Sequence, residues 1–101
     1  MSVQSELRER TSVRTKEPVQ YNVIMINDDF TTMDFVVMIL MEIFKKDEVT
    51  AEQLMLKVHQ TGRAVVATYP YDIAVSKVNK ALSRAREYGF PFRMTIVPSF
   101  P

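Results

Sequence analysis

The chain has 101 residues, 47% of them hydrophobic, which is enough for one domain with a single modest core. It contains no cysteine, which excludes disulfides, thiol nucleophiles and thiolate-bound metals and suits a reducing cytoplasm. Its formal net charge of +1 argues against a strong overall field that would attract nucleic acid or an anionic membrane.

The first 18 residues mix charged and small polar side chains with few large apolar ones, a composition that does not repay the entropy of ordering. We therefore expect a flexible, disordered extension over residues 1–18, followed by one folded domain over residues 19–101. The extension lacks the apolar stretch of a secretory signal. The longest apolar run, Phe35 to Met41, is much shorter than the roughly 20 residues of a membrane span, so no membrane contact is expected.

An apolar strand followed by an apolar helix opens the predicted domain. β-Branched and aromatic side chains over residues 21–26 predict a strand that runs into a polar turn at residues 27–29. Thr31, with Asp34 three residues later, is typical of a capping box, so we expect a helix from this point through Phe44. Because this helix is apolar on nearly every side, it is predicted to lie centrally.

The second half of the domain carries clearer boundary signals. Residues 50–53 form another capping box and open a helix that ends at Gly62, a residue suited to a left-handed cap. A short strand is predicted over residues 63–69. A third helix is then expected between Pro70 and Gly89, which favour a helix start and a helix stop respectively.

A last strand is predicted over residues 92–97. The resulting order is strand, helix, helix, strand, helix, strand. Such an order most naturally forms a small three-stranded sheet covered on one face by three helices, which is an α+β fold. The sequence therefore predicts one β-α-α-β-α-β domain.

Two places in the sequence concentrate polar side chains that can bind a ligand. Asn27, Asp28 and Thr31 lie between a buried strand and a buried helix, where loop residues can project into a cleft. The plain alternative is an ordinary turn and helix cap. His59, the only histidine, can share a helix face with Met55, although a single histidine of this kind is more often a core residue.

Together these two places suggest a site for an α-ammonium group. Such a group presents three N–H donors and a positive charge, so it needs several convergent acceptors, preferably with one carboxylate. Asn27, Asp28 and a neutral His59 can supply them. Two apolar pairs at helical spacing can line a cavity beside these acceptors: Met33 with Val36, and Met55 with Val58. Methionine side chains adapt to different large apolar groups. The alternative is that these residues serve only in ordinary core packing.

Two segments, Asn27 to Val36 (NDDFTTMDFV) and Gln53 to Gly62 (QLMLKVHQTG), resemble the signature of the ClpS family of protease adaptors. The resemblance extends from about Gln20 to Val97. It implies a β-α-α-β-α-β fold without enzymatic activity, metal or cofactor. It also implies a monomeric adaptor of the bacterial cytoplasm that recognises N-terminal Leu, Phe, Tyr or Trp. Its implied partner is a ClpA- or ClpC-type AAA+ unfoldase with ClpP.

The resemblance implies a role for individual residues of the pocket. Asn27, Asp28 and His59 match the residues that hold the substrate's α-amino group, and Thr31 matches a nearby polar contributor. The apolar lining is expected to exclude first residues that branch at Cβ, chiefly through its first methionine. The matching positions of that lining are Met33, Val36, Met55, Val58 and Met94.

The resemblance also extends to positions outside the pocket. Asp72 and Lys77 match charged positions that face the unfoldase, and the residues before Pro18 match an extension used in delivery. One position departs from the family, because Thr32 stands where a proline is common. The loss of a fixed φ predicts a looser loop before Met33 and puts affinity and side-chain preference in doubt.

Two other classes of function stay open at this point. An enzyme would use Asp28, Asp29 and His59 as a metal or general-base site, but no nucleophile or phosphate-binding glycine loop accompanies them. A generic protein-interaction or nucleic-acid-binding module would use the basic side chains of the N-terminal extension. Interspersed glutamates weaken that charge, and no base-stacking aromatic pattern is present. The basic residues concerned are Arg8, Arg10, Arg14 and Lys16.

Overall fold

The computed structural model describes residues 19–100. The elements follow the predicted β-α-α-β-α-β order, which confirms the α+β fold. The expected N-terminal extension, residues 1–18, lies outside the described residues. The elements are β1 (Gln20–Ile26), α1 (Met33–Glu42), α2 (Glu48–Thr61), β2 (Arg63–Pro70), α3 (Tyr71–Tyr88) and β3 (Arg93–Pro98).

The three strands form an antiparallel sheet in the order β2-β1-β3. Val23 and Met25 of the central strand are fully buried and contribute to the core that the sheet shares with the helices. At the end of the same strand, Ile26 has Arg63 of β2 and Arg93 of β3 as its partners on either side. This row of three residues immediately precedes the loop that connects β1 to α1.

An aromatic cluster fixes the beginning of α1. Phe35 is buried, and the centroid of its ring lies 5.0 Å from that of Phe90 and 5.7 Å from that of Phe92. Phe90 and Phe92 lie in the segment that leads into β3, so the cluster joins that segment to the first turn of α1. The helix is not buried all round, however, because Met33 and Met41 are 44% and 37% exposed.

The cap of α1 differs from the prediction. Thr32, not Thr31, is the N-cap, and its hydroxyl accepts a hydrogen bond of 3.1 Å from the amide of Phe35. The hydroxyl of Thr31 instead donates to the carboxylate of Asp28. The φ of Thr32 is −73°, which is within the range that a proline would impose. The expected looseness of this loop stays a prediction.

The predicted start of α3 is confirmed, because Pro70 is its N-cap and the helix begins at Tyr71, whereas the predicted start of α2 is wrong. Asp47, not Thr50, is the N-cap of α2, and its carboxylate accepts a hydrogen bond of 2.7 Å from the Thr50 amide. The predicted ends are confirmed. Gly62 and Gly89 are left-handed C-caps with φ values of 91° and 76°, conformations that glycine adopts without steric cost.

The cap of α1 provides a first test of the structure. Replacing Thr32 by Ala should lower the free energy of unfolding by about 1 kcal/mol, because the amide of Phe35 loses its acceptor. Urea denaturation followed by circular dichroism measures this change. Thr32→Ser keeps the hydroxyl and should cause a much smaller loss. Equal losses in the two variants would show that the methyl group matters and the hydrogen bond does not.

Candidate functional site

An open cleft of about 340 Å³ lies where the β1–α1 loop faces α2. The loop and the first turns of α1 form one side, and the second half of α2 forms the other. The cleft contains all the side chains predicted to bind an α-amino group and four of the five predicted for the apolar pocket. Its lining consists of Asn27, Asp28, Asp29, Phe30, Thr31, Thr32, Met33, Val36, Met55, Val58 and His59.

The carboxylate of Asp28 organises the loop on one side of the cleft. Its Oδ1 accepts hydrogen bonds from the amides of Phe30 (2.9 Å) and Thr31 (2.8 Å). Its Oδ2 accepts a hydrogen bond of 2.7 Å from the Thr31 hydroxyl. Each carboxylate oxygen can accept more than one bond, so Asp28 retains acceptor capacity towards the cleft.

The environment of Asp28 also keeps the carboxylate ionised. Burial acts to raise its pKa, but the hydrogen bonds from Thr31 and Phe30 together outweigh this effect, and the positive charge of Arg93 adds to them. The pKa of Asp28 is therefore lowered from its ordinary value of 3.8. Because a group with a lowered pKa loses its charge only as the pH falls through that value, Asp28 is an anion throughout the neutral range.

A backbone hydrogen bond connects the two sides of the cleft. The amide of Asn27 donates to the carbonyl of Gly62 at 2.9 Å, which ties the start of the loop to the end of α2. His59 lies in the last turn of that helix and is exposed. The left-handed conformation of Gly62 turns the chain at this point. The fold therefore brings Asn27 and His59 to the same cleft, as the sequence predicted.

The apolar part of the cleft combines fixed and mobile side chains. Val36 and Val58 are buried members of the core, so they form a rigid floor. Met33, the first residue of α1, is nearly half exposed, and Met55 is partly buried. A thioether side chain has several rotatable bonds and fits irregular apolar groups. The cleft can therefore adjust its width at the methionines while its floor remains unchanged.

One predicted pocket residue lies elsewhere, and three residues outside the predicted α-amino and apolar sets line the cleft. Met94 is within β3 opposite Met25 of β1, where it is half-buried against the core and does not line the cleft. The additional lining residues are Asp29, Phe30 and Thr32. Their position within the polar loop was the available signal, because neighbours in a short loop commonly share one cleft wall.

The two residues predicted to face an unfoldase have different environments. Asp72 is exposed in the first turn of α3. The Nζ of Lys77 donates a hydrogen bond of 2.8 Å to the carbonyl of Ile43 at the end of α1, and it lies 5.4 Å from the ring centroid of Tyr69. Lys77 therefore stabilises the C-terminus of α1, where a positive charge is favourable.

Other functions would depend on a metal cluster, a membrane span or the basic N-terminal side chains. Over residues 19–100, no three His, Cys, Asp or Glu side chains are placed to hold a metal ion. No helix in that part has the length and apolar character required to cross a membrane. The basic side chains of the alternative interaction module lie outside the described residues.

Known proteins share both the sequence and the fold. A family model described as ATP-dependent Clp protease adaptor protein ClpS matches residues 16–95. Adapter proteins ClpS of Burkholderia thailandensis and Burkholderia mallei are 49% and 48% identical over 89 residues, covering 88% of this chain and 86% of each relative. The solved structure of Agrobacterium tumefaciens ClpS2 bound to L-phenylalaninamide is 36% identical. It has a TM-score of 0.79 and covers 82% of this chain and 100% of its own. The chain therefore belongs to the ClpS family of ATP-dependent Clp protease adaptor proteins.

Proposed function

We propose that the cleft binds the free N-terminal residue of proteins that begin with Leu, Phe, Tyr or Trp. We further propose that the chain delivers these proteins to a ClpA- or ClpC-type AAA+ unfoldase that works with ClpP. The observation that carries the proposal is the convergence of a carboxylate, an amide and an imidazole on a cleft lined by methionine and valine. A protein's first residue presents a cation and a side chain together, and the cleft complements both.

The polar groups of the cleft suit an α-ammonium ion. Asp28 supplies a full negative charge, and the side-chain carbonyl of Asn27 and a ring nitrogen of His59 supply two further acceptors. Thr31 contributes by donating to Asp28, which orients the carboxylate. Hydrogen bonds between charged partners are shorter and stronger than neutral ones, so these contacts distinguish a free terminus from an internal peptide bond.

The size of the cleft suits one large apolar side chain. A volume of about 340 Å³ lies at the lower end of the roughly 300–1,000 Å³ typical of small-molecule sites. Burial of one aromatic side chain contributes on the order of 4 to 6 kcal/mol. Association costs on the order of 4 to 15 kcal/mol, so the contacts to the ammonium must provide much of the net affinity.

The bound molecule in the Agrobacterium relative supports this division of the cleft. L-Phenylalaninamide combines an aromatic side chain with a free α-amino group, and its carboxyl end is a neutral amide as in a peptide. A site for such a molecule must accept a cation beside an apolar ring. The described cleft offers these two environments side by side, on the same fold.

Delivery is the second half of the proposal. Membership of the Clp protease adaptor family supports a Clp unfoldase as the partner. We assign Asp72 to that contact because it is exposed on α3, whereas Lys77 contributes mainly by holding the end of α1. Residues 1–18 are proposed as the delivery extension of a domain over residues 19–101. The adaptor is proposed to act as a cytoplasmic bacterial monomer without metal or cofactor.

A panel of peptides that differ only at the first residue tests the proposed binding. Fluorescently labelled peptides beginning with Leu, Phe, Tyr or Trp should bind in anisotropy titrations, whereas those beginning with Ala, Ser or Glu should bind far more weakly. The reason is that only the large apolar side chains fill the space between the methionines. Equal affinity across the panel would rule out recognition of the first residue.

The single histidine predicts a further effect on binding. Replacing His59 by Ala should weaken binding of a Phe-initiated peptide about tenfold, because the substitution removes an acceptor beside the ammonium. His59→Asn retains a side-chain acceptor and should cause a smaller loss. Anisotropy titrations measure both affinities. Equal losses in the two variants would show that the shape of the imidazole matters and its acceptor does not.

A further inference from the structure

Arg93 lies next to the β1–α1 loop, which carries Asn27 and Asp28. It is the first residue of β3, and its partner on the central strand is Ile26, the residue immediately before Asn27. Its side chain is exposed. Among the described residues, the guanidinium of Arg93 makes no hydrogen bond or ion pair. Five N–H donors are thus available next to the cleft.

The charge of Arg93 reaches the cleft. Burial has the largest effect on the pKa of Asp28 and raises it, the bonds from Thr31 and Phe30 lower it, and the positive charge of Arg93 lowers it further. The β1–α1 loop and the start of α1 also carry negative charges. Asp29 lines the cleft, and Asp34 is exposed in the first turn of α1. The positive charge of Arg93 therefore partly offsets the negative charges of these aspartates.

A substrate held by its first residue must place its second residue near these charges. Consecutive Cα atoms are about 3.8 Å apart, so the second side chain lies within a Debye length, roughly 8 to 10 Å, of groups that act on Asp28. An acidic side chain at this position is repelled by the aspartates. A guanidinium offsets that repulsion, and it can bind a carboxylate through two parallel hydrogen bonds.

We propose that Arg93 is a specificity-determining residue that admits acidic side chains directly after the first residue of the substrate and disfavours basic ones. The substrate class is therefore narrower than the first residue alone defines. It comprises proteins with a large apolar first residue followed by an acidic or neutral second residue. This inference rests on the proposed binding of a free N-terminus in the cleft.

Arg63 provides a matched control. It is the partner of Ile26 on β2, as Arg93 is on β3, and it is also exposed. Its charge, however, is not among those that act on Asp28. Arg63→Gln and Arg93→Gln therefore remove the same net charge from the same row of the sheet, and only the second removes a charge that acts on Asp28.

The experiment compares peptides that begin with Phe and differ only in carrying Asp, Ala or Lys at the second position. Anisotropy titrations at low ionic strength give the ratio of affinities for the Asp and Lys peptides. Arg93→Gln should lower this ratio about fivefold, and Arg63→Gln should change it less than twofold. The difference should shrink in high salt, because both charges are exposed to solvent.

The outcomes separate this inference from the function on which it rests. If the Ala peptide binds only with a free amino group but Arg93→Gln leaves the Asp-to-Lys ratio unchanged, the role of Arg93 is overturned and the proposed function stands. An equal change in Arg63→Gln also overturns that role, because it indicates a general effect of net charge. If the peptide with Phe first and Ala second binds equally well with a free and with an acetylated amino group, both proposals fail. Thermal unfolding confirms that each variant is folded.

Discussion

Acetylation of the α-amino group should reduce the affinity of a Phe-initiated peptide for the cleft by at least about 100-fold. An acetylated nitrogen has no charge and one N–H in place of three, so Asp28 loses its cation and the other acceptors lose donors. A hydrogen bond to a charged group contributes about 1.5 to 3 kcal/mol, and the loss of two such bonds corresponds to roughly this factor. Anisotropy with peptides labelled at the C-terminus, where the dye leaves the amine free, measures the change.

Two smaller ligands separate the contribution of the amine from that of the peptide chain. Phenylalaninamide should compete with the labelled peptide, and N-acetylphenylalaninamide should not, because the two differ only at the amino group. A free-amine peptide beginning with Ala shows how much the ammonium contributes without an apolar side chain. Similar affinities for the acetylated and free Phe peptides would mean that the cleft does not read the terminus, and the proposed function would be wrong.

Two helix ends and the start of α3 could be predicted from the sequence, whereas the N-caps of α1 and α2 could not. Gly62 and Gly89 hold positive φ values that other residues rarely adopt, so glycine at the end of a periodic segment identifies the cap without knowledge of the fold. At the start of α1, two adjacent threonines could each cap the helix. Thr32 does so because Asp28 already engages the hydroxyl of Thr31, a contact that the capping pattern does not reveal.

The candidate site could be predicted only in part, because its residues come from segments that are distant in the sequence. The polar loop and the histidine each carry a local signal, but their meeting depends on a contact between Asn27 and Gly62, which are 35 positions apart in the sequence. The chemistry that an α-ammonium group requires suggested that pairing, and the resemblance to a known family strengthened it, because residue spacing alone does not show that two distant segments meet. Met94 shows the limit, because the register of β3 against β1 decides which cavity it can reach.

The second large effect is expected from Asp28→Asn. The substitution preserves the shape of the side chain and one carbonyl oxygen, which can still accept from the amides of Phe30 and Thr31. It removes the negative charge and places an amide NH₂ where Oδ2 accepts from the Thr31 hydroxyl. We expect the affinity for a free-amine Phe peptide to fall by about 10- to 100-fold, which corresponds to about 1.4 to 2.7 kcal/mol.

Asp29→Asn is the matched control for this substitution. Asp29 is the next residue, lines the same cleft and is exposed, and it makes no hydrogen bond within the described residues. The substitution removes one negative charge, as Asp28→Asn does, but from a solvent-exposed side chain, so the affinity should change less than about threefold. A loss as large as that of Asp28→Asn would mean that general acidity, and not a directed carboxylate, attracts the substrate.

Combining Asp28→Asn with peptide acetylation tests whether the carboxylate acts on the ammonium itself. If Asp28 binds that group, acetylation has already removed its partner, so the substitution should cost an acetylated peptide much less than a free one. The two changes would then be strongly non-additive. Additive losses would instead show that Asp28 acts by ordering the loop through Phe30 and Thr31, because that contribution is the same for both peptides. Affinities for the acetylated peptide can be measured at high protein concentration.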